Sequence, residues 1–211
     1  MEDSAVKKIA DLKILPVVRI EKAVDALPLS KALSAGGITA EEITFRTACA
    51  ADAIRTVSKE MPSMLVGAGT VLNVEQAGAA LAAGAKFLVS PGLDEDLVRF
   101  SREKGVPVFP GCATATEVQR AVNMGLTVLK FFPAEQMGGI RTIRALSAPF
   151  GKVRWMPTGG VNLGNLKEYL SFDRVIACGG SFLAGKEDVE AGNWTKITDL
   201  CRRTVRLIRN G

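Results

Sequence analysis

Lys130 is the only charged residue in the run Val128-Leu129-Lys130-Phe131-Phe132-Pro133. An ammonium among apolar neighbours loses hydration, and that loss lowers its pKa toward the range in which the free amine is a nucleophile. From an ordinary value near 10.4, only about 0.04% of a lysine is neutral at pH 7, whereas a value of about 7.4 would give nearly 30%. The chemistry open to such an amine is attack on a ketone to form an imine. The sequence contains no histidine, so Ser-His-Asp triads, Cys-His dyads and histidine-ligated zinc are excluded or made awkward. Lys, Glu, Arg, hydroxyls and backbone amides remain to do the chemistry.

Imine chemistry on a keto acid also needs a proton carrier and a holder for the carboxylate. Glu42, Thr44 and Arg46 share one parity of a candidate strand, and Ile43 and Phe45 share the other. A period of two sends the polar set to one face and the apolar set to its opposite. Glu42 then serves as general acid and base, and Arg46 grips a carboxylate through its fork. Thr70, at the end of Val66-Gly67-Ala68-Gly69-Thr70, adds a hydroxyl where glycines let the backbone approach a ligand. Two glycine pairs, Gly159-Gly160 after Thr158 and Gly179-Gly180 before Ser181, follow later strands and offer free amides to an anion.

These residues must be carried by a scaffold, and the chain supplies repeated βα units. Short β-branched or apolar runs at 14–20, 41–45, 64–70, 87–90, 107–111, 127–131, 153–158 and 175–178 alternate with amphipathic stretches. Asn73 is placed to cap one helix with Gln76 returning the bond, and Asp94 opens another that Arg102, Lys104 and Gly105 close. Eight units of about 20 to 25 residues favour a closed parallel (β/α)8 barrel, with the site at the C-terminal ends of its strands. A doubly wound open sheet competes, but strand one ends in Arg19-Ile20-Glu21 rather than a glycine-rich turn. No linker interrupts the chain, so residues 1–211 are expected to form one α/β domain with an extra N-terminal helix and a long C-terminal helix.

Composition narrows the setting. The four cysteines (Cys49, Cys112, Cys178 and Cys201) form no CxxC pair, which argues against a metal knuckle or a disulfide framework and for a reducing cytoplasm. The acidic start Met1-Glu2-Asp3 has no apolar core behind it and is not read as a signal peptide, and no apolar run approaches the roughly 20 residues of a membrane span. The net charge of +5 is spread along the chain and aromatics are only 6% of it, so nucleic acid is not expected as a partner. A mild positive field suits a small anionic substrate.

Taken in order, Glu42-Ile43-Thr44-Phe45-Arg46-Thr47, Gly67-Ala68-Gly69-Thr70-Val71, Ser90-Pro91-Gly92, Lys130-Phe131-Phe132-Pro133-Ala134-Glu135, Pro157-Thr158-Gly159-Gly160-Val161 and Cys178-Gly179-Gly180-Ser181 resemble the motifs of bacterial 2-keto-3-deoxy-6-phosphogluconate (KDPG) and 2-keto-4-hydroxyglutarate (KHG) aldolases. The resemblance spans strand two to strand eight. It implies a homotrimeric class I aldolase of the Entner–Doudoroff pathway that needs no cofactor or metal. Such an enzyme cleaves the phosphorylated keto-deoxy sugar acid to pyruvate and glyceraldehyde 3-phosphate, with hydroxyglutarate as a second substrate. By that similarity Lys130 is the Schiff-base lysine and Glu42 its proton acceptor and donor. Arg46, Thr70, Pro91 and Phe132 surround the pyruvyl part, Thr158 stands near the substrate hydroxyl, and Gly159, Gly160 and Ser181 take the phosphate. Three alternatives stay open at this point: a galactonate-series aldolase, a phosphate-binding barrel synthase or epimerase that forms no imine, and a catalytically idle barrel kept as a binding module.

Overall fold

In the computed structural model, which describes residues 4–210, successive residues of each strand alternate between two apolar environments. Residues 1–3 and 211, and with them the acidic start and the outer limits of the expected domain, lie outside the described residues. The strands are β1 (Ile14–Val18), β2 (Ala40–Thr44), β3 (Leu65–Gly69), β4 (Leu88–Val89), β5 (Val108–Phe109), β6 (Val128–Phe131), β7 (Arg154–Pro157) and β8 (Cys178–Gly180). Parallel ladders join them in the order β5-β4-β3-β2-β1-β8 and, separately, β6-β7. Single bridges between Trp155 and Val175, Thr158 and Gly179, and Gly111 and Lys130 close the ring. The result is the expected (β/α)8 barrel.

Leu15, Ala40, Phe87, Val89, Phe109, Val128 and Met156 form an inner cluster, whereas Ile14, Ile43, Val66, Ala68, Leu88, Leu129 and Trp155 pack outward against the helices. Every strand is thus buried on both faces, as a parallel barrel requires. Gly67 belongs to this packing, since a Cβ there would fall 2.2 Å from the Phe87 ring. Helix α1 (Ser4–Leu12) sends Val6 and Ile9 into the inner cluster and so covers the N-terminal end of the barrel.

The outer layer consists of α2 (Ala26–Ala35), α3 (Ala50–Glu60), α4 (Val74–Ala82), α5 (Glu95–Glu103), α6 (Ala115–Asn123), α7 (Gly139–Ser147), α8 (Leu166–Leu170), α9 (Lys186–Glu190) and α10 (Trp194–Arg209). Caps anchor the starts of α4, α5 and α6. Asn73 accepts from the Gln76 amide at 2.9 Å, Asp94 from Leu97 at 2.8 Å, and Thr114 forms a reciprocal capping box with Glu117. Gln76 returns its bond to Leu72 rather than to Asn73. Helix α10 docks on α2, where the Thr198 hydroxyl donates to the Ala32 carbonyl at 2.9 Å.

Strand limits are where expectation and structure differ. The expected strands 87–90 and 107–111 contract to two residues each, because beyond Val89 and Phe109 the pairing continues only as isolated bonds, Gly111 to Ser90 and Cys112 to Lys130 among them. Expected strand 175–178 shifts toward the C-terminus. Before Cys178 the pairing with β7 is a single bridge, made by the Trp155 amide on Arg174 O and the Ile176 amide on Trp155 O, and the ladder with β1 begins at Cys178 and runs to Gly180.

Candidate active site

At the C-terminal mouth of the barrel two buried charges face each other. Lys130, on the inner face of β6, is 3% exposed, and Glu42, on the inner face of β2, is 1% exposed. Their Nζ and Oε1 atoms are 3.9 Å apart, too far for a hydrogen bond, and Glu42 Oε1 has no hydrogen-bond partner among the described residues. Burial raises the Glu42 carboxyl above the ordinary range, and the nearby Lys130 and Arg46 charges pull it back only in part. The Lys130 ammonium also stands 4.9 Å from the centre of the Phe132 ring.

Gly69 on β3 makes the position of Glu42 possible. A Cβ there would lie 2.0 Å from Glu42 Oε1, so only a glycine leaves the carboxyl its place in the barrel wall. The chain then turns at Thr70, whose φ of 53° is unfavourable for a β-branched residue. This turn presents the Thr70 hydroxyl to Arg46 Nε at 3.1 Å. Arg46 itself is exposed at the rim, close enough for its charge to act on Glu42.

The remaining expected residues form the rest of the rim. Pro91 lies against Gly111, the bridge partner of Lys130; a Cβ on Gly111 would come 2.0 Å from the Pro91 carbonyl oxygen. Thr158 is buried beside Gly179, which again lacks a Cβ where the threonine hydroxyl sits. Gly159 and Gly160 form a bend with φ of 99° and 80°, and a Cβ on Gly159 would fall 3.4 Å from the Phe132 ring. Their amides have no partner among the described residues. Ser181 is exposed at the start of a short 3-10 turn after β8.

Two features near these motifs were not singled out from the sequence. Glu41 shares the outward parity of Ile43, is completely buried against α2, and meets Ser30 there. Glu135 receives a short hydrogen bond from the buried Tyr169 hydroxyl on α8. Two surface grooves, of about 610 and 520 Å³, are lined in part by Trp194 at the start of α10 and by neither Lys130 nor Glu42. No group of three or more His, Cys, Asp or Glu side chains able to hold a metal occurs among the described residues. No helix among them is long and apolar enough to cross a membrane.

Fold and site together define a (β/α)8-barrel enzyme whose mouth encloses a lysine–glutamate pair. The family model described as KDPG and KHG aldolase matches residues 5–200. The 2-dehydro-3-deoxy-phosphogluconate aldolase of Treponema pallidum is 47% identical over 197 residues, covering 93% of this chain and 94% of that protein. Two solved structures are similar. One is a KDPG aldolase from Legionella pneumophila with pyruvate captured at low pH as a covalent carbinolamine intermediate, 38% identical, with a TM-score of 0.92 over 95% of this chain and 98% of that one. The other is the Zymomonas mobilis ZM4 enzyme with 3-phosphoglycerate, 39% identical, with a TM-score of 0.86 over 95% and 94%. The chain belongs to the KDPG and KHG aldolase family.

Proposed function

We propose that residues 1–211 act as a single catalytic domain, a cytoplasmic class I aldolase that cleaves 2-keto-3-deoxy-6-phosphogluconate to pyruvate and glyceraldehyde 3-phosphate. The observation that carries this reading is the enclosed Lys130–Glu42 pair, 3.9 Å apart in a chain of this family. Because burial favours the neutral form of Glu42, the carboxyl can hold the proton that Lys130 must give up before it attacks. The amine adds to the C2 ketone, a carbinolamine forms, and Glu42 gives its proton to the departing hydroxyl, so that loss of water yields the iminium and an ionised Glu42. Glu42, through a water, takes the proton of the C4 hydroxyl. The C3–C4 bond breaks, its electron pair enters the iminium to give an enamine, and the aldehyde phosphate leaves. Glu42 then returns a proton to C3, and water releases pyruvate and the free lysine.

Arg46, oriented by Thr70, holds the substrate carboxylate, with Pro91 and Phe132 walling the pyruvyl group. Thr158 contacts the substrate hydroxyl. The free amides of Gly159 and Gly160, with Ser181, take the phosphate. The enzyme is further proposed to act as a homotrimer, and the exposed apolar side chains Val24 (77%) and Leu72 (55%) near the rim offer contact area for a neighbouring copy. The test is pyruvate release from the gluconate-series substrate, its C4 epimer and 4-hydroxy-2-oxoglutarate. Highest kcat/KM on the first supports the reading. Preference for the galactonate epimer, or no lyase activity on any of the three, contradicts it.

A further inference from the structure

The phosphate role of the Gly159-Gly160 bend rests on the reading above, but the bend itself has a second set of partners on its outer side. Three successive carbonyls are tied back. The Ala134 amide donates to Thr158 O at 2.8 Å, and the Glu135 amide donates to Gly159 O at 3.1 Å. Asn162 Nδ2 and Asn165 Nδ2 both donate to Gly160 O at 3.1 Å. A trans peptide is planar, with its C=O and N–H pointing in opposite directions. Fixing those three carbonyls therefore fixes three N–H groups, of Gly159, Gly160 and Val161, aimed away from the tie. None of the three has a partner among the described residues.

Side chains brace this arrangement from outside. Glu135 crosses the bend so closely that a Cβ on Gly160 would fall 2.4 Å from its Cγ, and the buried Tyr169 hydroxyl holds its carboxylate. Asn165 also accepts from the Asn162 amide at 2.8 Å, so one side chain sets both the loop and the Gly160 carbonyl.

We propose that Asn165 and the Glu135–Tyr169 pair are positioning residues that preset three backbone N–H groups for an anion, and so determine selectivity for phosphorylated over unphosphorylated keto acids. Neither touches the reacting atoms. Asn165→Ala removes one of the two side-chain bonds to the Gly160 carbonyl and the bond that holds the Asn162 amide, loosening the Gly160 peptide, and Tyr169→Phe removes one hydroxyl while keeping its ring in the core.

The experiment measures kcat/KM for the phosphorylated keto acid and for 4-hydroxy-2-oxoglutarate, with inorganic phosphate as competitor, in the unmodified enzyme and both variants. Expected is a fall in the ratio of the two kcat/KM values of about tenfold for Asn165→Ala and about threefold for Tyr169→Phe, with matching losses of phosphate inhibition. The fall resides in KM of the phosphorylated substrate. An unchanged ratio, whether because both substrates lose activity equally or because neither does, overturns the proposal. Absence of phosphate competition in the unmodified enzyme overturns the phosphate reading and this proposal together.

Discussion

Glu41 and Glu42 are neighbours on β2, yet they leave the strand on opposite sides and meet different surroundings. Both are enclosed, at 0% and 1% exposure, and each keeps one oxygen without a hydrogen-bond partner among the described residues. Burial raises both carboxyls, Glu41 to about 7. On the inner side Glu42 faces the charges of Lys130 and Arg46. On the outer side Glu41 meets the Ser30 hydroxyl at 2.5 Å, and that hydroxyl also lies 2.9 Å from the Ala26 carbonyl. A hydroxyl has one proton to give. When Ser30 gives it to Ala26, Glu41 must be the donor in the other bond and is a neutral acid. Burial alone thus yields a carboxyl that keeps its proton up to about pH 7 with no charged partner to pass it to, and burial opposite an amine yields a group that can exchange a proton during a reaction.

The comparison predicts very different consequences for the same substitution one residue apart. Glu42→Gln, which keeps the shape and removes the proton exchange, is expected to lower kcat by about 10³-fold, while the kcat of Glu41→Gln stays within about twofold of the unmodified enzyme. Steady-state pyruvate release reads this directly, and equal losses in the two variants would erase the distinction.

The smaller effect is on stability and falls on Glu41. Below pH 4.5 its carboxyl is protonated in the folded and unfolded chain alike, and its contribution is fully present. Between 4.5 and about 7 the folded chain holds a proton that the unfolded chain has released, so stability declines as pH rises and then levels off. That difference amounts to about 3 kcal/mol. Glu41→Gln cannot ionise, so its advantage over the unmodified chain should be absent near pH 4.5 and grow to about that size at pH 8. Urea unfolding midpoints at the two pH values check this, and parallel pH profiles would show that Glu41 does not titrate as described.

Most of the architecture was readable because its causes are local. Short β-branched or apolar runs marked all eight strands, and Asn73, Asp94 and the C-terminal helix from Trp194 to Arg209 behave as their residue types suggest. The limits of β4, β5 and β8 were not readable, since they depend on how far neighbouring strands stay in register around a closed ring. Lys130 and Glu42 stood out because each puts a charge where its strand faces the barrel interior. Glu41 carried no such signal: at the parity of Ile43 an acid gives no hint that α2 will bring Ser30 to it. The Tyr169–Glu135 bond spans 34 residues and is created only when α8 lies beside the segment that follows β6.

The central claim is that Lys130 forms the imine. Borohydride reduction in the presence of pyruvate, followed by mass spectrometry of the digested protein, tests it most directly. The account predicts one reduced pyruvyl adduct, on the peptide containing Lys130, and none in Lys130→Met, which should also lose turnover by at least about 10⁴-fold. An adduct on any other lysine, or trapping that survives in Lys130→Met, would contradict it.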